Sequence, residues 1–179
     1  MTESTPDATL PKVLSAIRDW LVAIAVAAVV FVAVAIGQQT FDSGTRNLEG
    51  PAPAFSFATL DDGDIRLEAL AGSPVVLNFW ASWCGPCRAE MPDLVRFSND
   101  YPEVRMLGPA VDSGSDVDIA RSASRFGITW PVGPASTRLK TDFGVSVLPT
   151  TIIIDRNGQL HQRHVGQIHY SDLVASLPQ

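Results

Sequence analysis

Two cysteines, Cys84 and Cys87, are the residues of this sequence whose type and spacing could do chemistry. They are the only cysteines among its 179 residues, and Gly85 and Pro86 separate them. Two thiols this close can form a disulfide with each other, and a thiolate can attack a disulfide in another protein. The pair therefore indicates thiol–disulfide exchange, with Cys84 as the candidate nucleophile and Cys87 as the resolving thiol.

The sequence around the pair predicts a change from strand to helix. The apolar run 75–81 is typical of a buried strand, and residues from Pro86 onward suit a helix whose first turn tolerates proline. Cys84 then lies at a helix N-terminus, where unpaired N–H groups and the helix dipole stabilise an anion. At such sites the pKa of a cysteine falls from about 8.5 to roughly 3.5–7.5.

Two other interpretations of the pair stay open but are less favoured. A structural zinc site needs four Cys or His ligands, and the three histidines, His161, His164 and His169, lie far away in the sequence. A purely structural disulfide that closes so short a loop gains little entropy. We therefore expect a redox-active pair, no metal site and no cofactor.

The residues around the pair resemble a known active site. Residues 83–87, Trp-Cys-Gly-Pro-Cys, match the thioredoxin motif, and the longer string 78–92 is similar to the membrane-anchored bacterial branch that includes TlpA, ResA and CcmG. The resemblance covers about residues 50–179, and the 111–114 region is also similar to the copper-sensitivity suppressor thioredoxin ScsD. It implies an α/β thioredoxin fold with an N-terminal β-hairpin and a central inserted helix, preceded by one transmembrane helix.

The resemblance also implies further site residues. Pro149 corresponds to the proline that follows a cis peptide bond and faces the cysteine pair, and Leu148 would offer its backbone to an extended client segment. Trp83 would shield the thiolate and line the substrate groove, with simple packing as the alternative. Trp130 is a second candidate for that groove, although core packing is the favoured interpretation for it.

The chain departs from thioredoxin at the buried acid that serves the resolving thiol. Asn78 stands at that position, and an amide cannot titrate. The branch moves the carboxylate to the loop before the inserted helix, so Asp112 and Asp116 are the candidate acid/base residues, with a solvated or helix-capping role as the alternative. Glu90 fits the branch pattern Cys-Arg-x-Glu, and we interpret it as a helix-surface or salt-bridge residue.

An apolar stretch near the N-terminus predicts a membrane anchor. Residues 20–37 carry no charge and are long enough to span a bilayer. A cleavable signal peptide is the alternative, since Ala33-Val34-Ala35 offers a small-residue cleavage pattern. The preceding segment is long and contains acidic residues, which favours an uncleaved anchor.

These features divide the chain into four parts. We expect a cytoplasmic segment over 1–19, a transmembrane anchor over 20–37, a linker over 38–49 and a thioredoxin-like domain over 50–179. Lys12 and Arg18 precede the span, so the positive-inside rule predicts a single-pass protein of the cytoplasmic membrane with its redox domain on the periplasmic side.

Within the domain, three elements are predicted in detail. Residues 55–60 and 65–67 predict a hairpin with an Asp-Gly turn, and 116–126 predict an amphipathic helix stopped by Gly127. The strand expected over 104–112 contains Gly108-Pro109, which predicts a bulge or an early end to pairing because proline cannot donate to a ladder.

The composition and the resemblance together define the expected function. The formal net charge of −6 gives no basic surface for nucleic acid. The resemblance implies a protein-disulfide reductase that acts on cysteine-containing envelope proteins such as apocytochrome c and receives electrons from a DsbD- or CcdA-type membrane carrier. A disulfide-introducing oxidase and a client-binding or metallochaperone module are the alternatives.

Overall fold

The computed structural model describes residues 20–31, 44–61 and 63–178, and the chain divides into two compact units, Met1–Asp42 and Ser43–Gln179. In the first unit, residues 20–31 are helical (α1) and their large apolar side chains are exposed. Within the described ranges, no helix has both the length and the apolar character needed to cross a bilayer. The predicted segment 1–19 and residues 32–37 of the predicted anchor lie outside the described residues.

The second unit contains eight strands and four α-helices within its described part. The strands are β1 (Gly44–Asn47), β2 (Ser56–Ala58), β3 (Asp64–Arg66), β4 (Val75–Phe79), β5 (Arg105–Ala110), β6 (Val132–Pro134), β7 (Thr150–Ile154) and β8 (Leu160–Val165). The helices are α2 (Gly85–Asp100), α3 (Asp116–Phe126), α4 (Thr137–Asp142) and α5 (Tyr170–Ala175), with a 3-10 helix at Leu67–Leu70. The thioredoxin-like α/β fold is confirmed.

A six-stranded sheet in the order β1-β8-β7-β4-β5-β6 forms the centre of this unit. All five residues of β4 are buried, and β4 pairs parallel with β5 and antiparallel with β7. The β-branched and apolar residues of β4 suit a strand covered on both faces. The strand that leads to Cys84 is therefore held firmly in the middle of the sheet.

The two faces of the sheet carry separate hydrophobic clusters. Alternate residues of a strand point to opposite faces, and accordingly Val76 belongs to one cluster and Leu77 to the other. Helices α2, α3 and α5 contribute to the Val76 cluster, whereas α4 and the β2–β3 hairpin contribute to the Leu77 cluster. Asn78 shares the alternation of Val76 and so faces helix α2.

Two predicted local elements are confirmed. Strands β2 and β3 form the expected antiparallel hairpin. Helix α3 begins with a capping box between Ser115 and Asp118 and ends at Gly127, whose φ of 73° is a left-handed conformation that glycine adopts without strain. Residues 44–47, expected within the linker, instead form β1 at the edge of the sheet.

Of the two outcomes predicted at Gly108-Pro109, a bulge or an early end to pairing, β5 shows no bulge and shows an interruption of its pairing with β4. The β4–β5 ladder stops at Leu77 and Leu107, and it resumes in the same register as a bridge between Trp80 and Ala110. The carbonyl of Pro109 still accepts a hydrogen bond from the backbone N–H of Trp80 at 3.1 Å. Because Pro109 has no N–H to donate, the β4–β5 ladder is interrupted there, but its register does not change.

Candidate active site

The two cysteines form a disulfide at the N-terminus of helix α2. Their Cα atoms are 5.3 Å apart, and both side chains are buried. Cys84 is the N-cap residue, and its Sγ accepts a hydrogen bond from the backbone N–H of Cys87 at 3.1 Å. This N–H is one of the helix donors that have no intrahelical acceptor. The predicted placement of Cys84 between a strand and a helix is confirmed.

The loop before Cys84 is bonded to the segment that follows β5. The backbone N–H of Ser82 donates to Ser113 Oγ at 3.0 Å, and Ser113 Oγ donates to the carbonyl of Val111 at 3.0 Å. The indole Nε1 of Trp83 donates to the carbonyl of Asp112 at 3.0 Å. These bonds hold the loop before Cys84 in place, and none of them involves an N–H group of the α2 N-terminus.

A groove of about 580 Å³ borders the cysteine loop. The peptide bond between Leu148 and Pro149 is cis, as the resemblance implies. The groove is lined by Trp83, by the segment after β5, by one side of α4 and by the loop that leads to this cis bond: Val111, Asp112, Thr137, Lys140, Thr141 and 144–148. Two of the three predicted groove residues, Trp83 and Leu148, line it.

The two tryptophans predicted for the groove have different environments. Trp83 is 62% exposed at the groove. Trp130 instead is buried in the cluster on the α2 face and is not among the residues that line the groove. Gly108 makes room for it, since a Cβ at that position would lie 3.0 Å from the Trp130 Nε1 atom. The groove role predicted for Trp130 is therefore replaced by core packing.

Neither of the predicted acids contacts the cysteines. Asp112 has a φ of 44°, its side chain is 79% exposed, and its carboxylate lies 3.9 Å from the ammonium of Lys140. Asp116 is exposed in the first turn of α3. The chain turns at Asp112 directly after β5, and this directs the carboxylate to the surface rather than to Cys87.

Among the residues that the structure describes, the carboxyl that is buried on the cysteine side of the sheet belongs to Glu90. Glu90 follows Cys87 by one turn of α2 and is completely buried, so its interpretation as a helix-surface residue is corrected. Its Oε1 accepts from Asn78 Nδ2 at 2.8 Å, and its Oε2 accepts from the backbone N–H of Ile168 at 3.0 Å. Burial raises the pKa of Glu90 to about 7, against the opposing effect of these hydrogen bonds and of nearby His169.

Sequence reasoning missed Glu90 although its spacing gave a signal. The buried residues of α2 are Cys87, Glu90, Met91, Leu94 and Phe97, which recur at three- and four-residue intervals. Glu90 is part of this apolar stripe, and a carboxyl in a core-facing stripe indicates a buried acid. A carboxyl that lies one helical turn from Cys87 and has a pKa of about 7 could accept a proton near neutral pH.

The sequence matches known proteins over most of this unit. Residues 48–163 match the AhpC/TSA family. The thioredoxin-like protein YneN of Bacillus subtilis (strain 168) is 32% identical over 130 residues, which cover 70% of this chain and 76% of YneN. The thiol-disulfide oxidoreductase ResA of Geobacillus thermodenitrificans (strain NG80-2) is 33% identical over 128 residues, covering 70% of this chain and 74% of ResA.

Solved structures agree with this relationship. A thioredoxin-family thiol:disulfide interchange protein from Chlorobium tepidum TLS superposes with a TM-score of 0.66 at 28% identity, covering 73% of this chain and 94% of that one. A putative DsbE from Chlorobium tepidum gives a TM-score of 0.64 at 27% identity, covering 76% and 99%. This chain belongs to the AhpC/TSA family and is a thioredoxin-like thiol–disulfide oxidoreductase of the ResA type, with Cys84 and Cys87 as its redox pair.

Proposed function

We propose that this enzyme is an extracytoplasmic protein-disulfide reductase anchored in the cytoplasmic membrane through residues 20–37. The observation that carries the proposal is the position of Cys84, at the N-terminus of α2 and directly after Trp83, which lines a groove large enough for an extended client segment. Trp83 and the Leu148 backbone would bind that segment next to the sulfur. The groove thus presents a client disulfide to the sulfur that lies at the helix N-terminus.

The exchange proceeds in two steps from the reduced pair. The thiolate of Cys84, stabilised by the Cys87 N–H and the helix dipole, attacks one sulfur of the client disulfide and the other client sulfur leaves as a thiolate. Cys87 then attacks the Cys84 sulfur, which forms the Cys84–Cys87 disulfide and releases the second client sulfur. Two electrons pass from the pair to the client, and the client thiolates take up two protons.

Glu90 is the proposed proton acceptor for the second step. The Cys87 thiol must lose its proton before it can attack, and Glu90 lies one helical turn away with a pKa of about 7. A carboxylate with this pKa accepts a proton near neutral pH and returns it readily. In this role Glu90 replaces Asp112 and Asp116, whose carboxylates are exposed.

The direction of exchange is proposed from the residues between the cysteines. Gly85-Pro86 is the dipeptide of thioredoxin, whose reduction potential is about −270 mV, far below the value of about −120 mV of the oxidant DsbA. The clients are envelope proteins with cysteines, apocytochrome c among them. A membrane carrier of the DsbD or CcdA type would reduce the Cys84–Cys87 disulfide again.

A redox titration of the purified chain against glutathione tests the direction. A potential near that of thioredoxin supports a reductase, whereas a value near −120 mV would make the enzyme an oxidase. A Cys87→Ser variant should accumulate mixed disulfides between Cys84 and client proteins, and Cys84→Ser is the matched control that should trap none. Protease accessibility of residues 44–178 in spheroplasts tests the compartment, and protection from added protease would contradict it.

A further inference from the structure

Asn78 and Glu90 form a buried pair in which the amide makes every polar contact as a donor. The Asn78 Nδ2 donates to Glu90 Oε1 at 2.8 Å and to Thr151 Oγ1 at 3.0 Å, and Asn78 and Thr151 face each other across the β4–β7 ladder. The Asn78 Oδ1 is buried, and no donor in the described part of the chain reaches it. An unpaired buried carbonyl oxygen is costly, so its presence in a core calls for a reason.

This arrangement fits only one charge state of Glu90. Both carboxylate oxygens accept hydrogen bonds, Oε1 from Asn78 and Oε2 from the Ile168 backbone, which suits the ionised form. A protonated Glu90 carries an O–H that needs an acceptor, and both of its present neighbours are donors. A backbone N–H cannot change from donor to acceptor, but a side-chain amide can do so by rotating through half a turn.

We propose that Asn78 is a positioning residue that stabilises both protonation states of Glu90 by rotating its side-chain amide. With Glu90 ionised, Nδ2 donates to Glu90 and Thr151. With Glu90 protonated, Oδ1 takes the place of Nδ2 and accepts from the carboxyl O–H and from the Thr151 hydroxyl. Two hydrogen bonds are made in either orientation, and one amide atom is left unpaired in each. This inference rests on the proposed role of Glu90 in exchange.

The other groups around Glu90 are consistent with a switch inside this pair. Thr151 on β7 is uncharged and its hydroxyl can donate or accept. His169, which follows Ile168, holds its ring Nδ1 3.3 Å from the Asp93 carboxylate at the surface. Cys87, on the same helix, is bonded to Cys84 in the oxidised enzyme. Because Asn78 is uncharged, it adjusts to the proton on Glu90 without a second buried charge, which an aspartate at this position would add.

The side-chain amide of Asn78 provides a direct test in the oxidised full chain in detergent micelles. Nitrogen-15 NMR follows its two amide protons while the pH is lowered through 7, with the resonances assigned by their loss in Asn78→Leu. Both protons should shift upfield together, because rotation removes both acceptors at once. If only the proton that faces Glu90 shifts and the one that faces Thr151 stays, the amide does not rotate and the proposal is overturned.

A Glu90→Gln variant gives the second arm of this experiment. Glutamine resembles the protonated carboxyl, since its carbonyl can accept from Ile168 and its amide can donate to Asn78 Oδ1. The Asn78 protons should then hold the upfield position at every pH. A pH-dependent shift of the Asn78 protons that persists in Glu90→Gln would show that rotation of the amide does not depend on the proton of Glu90, and would overturn the proposal. Neither NMR titration depends on the direction of exchange. The result for Asn78 can therefore be interpreted even if the enzyme is not a reductase.

The kinetic consequence is a change in the pH profile of the resolving step. In Asn78→Leu the ionised carboxylate loses a charge-assisted donor, whereas the protonated carboxyl loses only a weaker neutral acceptor. The midpoint for release of a cysteine peptide from its mixed disulfide with Cys84 should therefore rise, by about one pH unit. The exposed Asn157 is the matched control, and Asn157→Ala should leave the midpoint unchanged. An unshifted midpoint in a folded Asn78→Leu enzyme would contradict the positioning role, because a merely structural residue would alter stability alone.

Discussion

Replacement of Glu90 by glutamine should stabilise the oxidised enzyme at alkaline pH and leave it unchanged near pH 4.5. An unfolded glutamate ionises near 4.5, whereas Glu90 in the native protein keeps its proton up to a pKa of about 7. Between these values the native state binds more protons than the unfolded state, so the stability of the wild type falls as the pH rises. Below 4.5 both states are protonated, and the cost of the buried charge disappears.

The magnitude follows from how far burial raises the Glu90 pKa. A tenfold change in the ionisation constant corresponds to about 1.4 kcal/mol, so ionising Glu90 in place costs about 3 kcal/mol above pH 7. Glu90→Gln removes this cost and keeps the shape of the side chain. The difference in unfolding free energy between the two proteins should therefore grow from near zero at pH 4.5 to about 3 kcal/mol at pH 8.

Urea unfolding at several pH values between about 4.5 and 8.5 measures this difference, with equal m-values as the check that both proteins unfold in the same way. Glu103, exposed in the loop after α2, supplies the matched control, and Glu103→Gln should show no such trend. A difference between wild type and Glu90→Gln that stays constant with pH would refute the assignment of the raised pKa to burial of this carboxyl.

Three further changes have expected outcomes. Asp112→Asn should leave the pH profile of exchange unaltered, because its carboxylate lies at the surface near Lys140; a displaced profile in stopped-flow kinetics would restore Asp112 as an acid/base residue. Ser115→Ala removes the N-cap of α3 and should lower the unfolding free energy by about 1 kcal/mol in urea titrations, and an unchanged midpoint would count against the capping box. Gly133→Ala places a Cβ against the Ala58 backbone and should lower the melting temperature, so a protein that melts unchanged would contradict this close approach.

The position of the nucleophile can be predicted from sequence because the evidence for it is local. The run Val75–Phe79 and the proline after Cys84 define a strand and a helix without reference to the rest of the chain. The hairpin and helix α3 are predictable for the same reason, since turn glycines and apolar periodicity mark them. Each of these features depends on residues close together in sequence.

The acid is not predictable in this way because its environment is assembled from distant segments. Glu90 is buried by contacts with Asn78 on β4 and with the Ile168 backbone, and both are far from it in sequence. The sequence favours Asp112 because it follows a strand end, but a left-handed backbone conformation there directs its carboxylate to the surface. Trp130 is ambiguous in the sequence because its place in the core depends on the absence of a side chain at Gly108.

Strand β1 has a consequence for how this protein can be shortened. Residues 44–47 pair with β8 along its outer side, and Thr45 Oγ1 lies 2.7 Å from the His164 ring. A protein that starts at residue 50, where the sequence predicts the start of the domain, would expose the outward N–H and C=O groups of β8. An exposed edge strand can pair with a strand of another molecule, which promotes aggregation. Such a shortened enzyme should keep its redox chemistry but aggregate on storage, whereas one that starts at residue 43 should stay monodisperse.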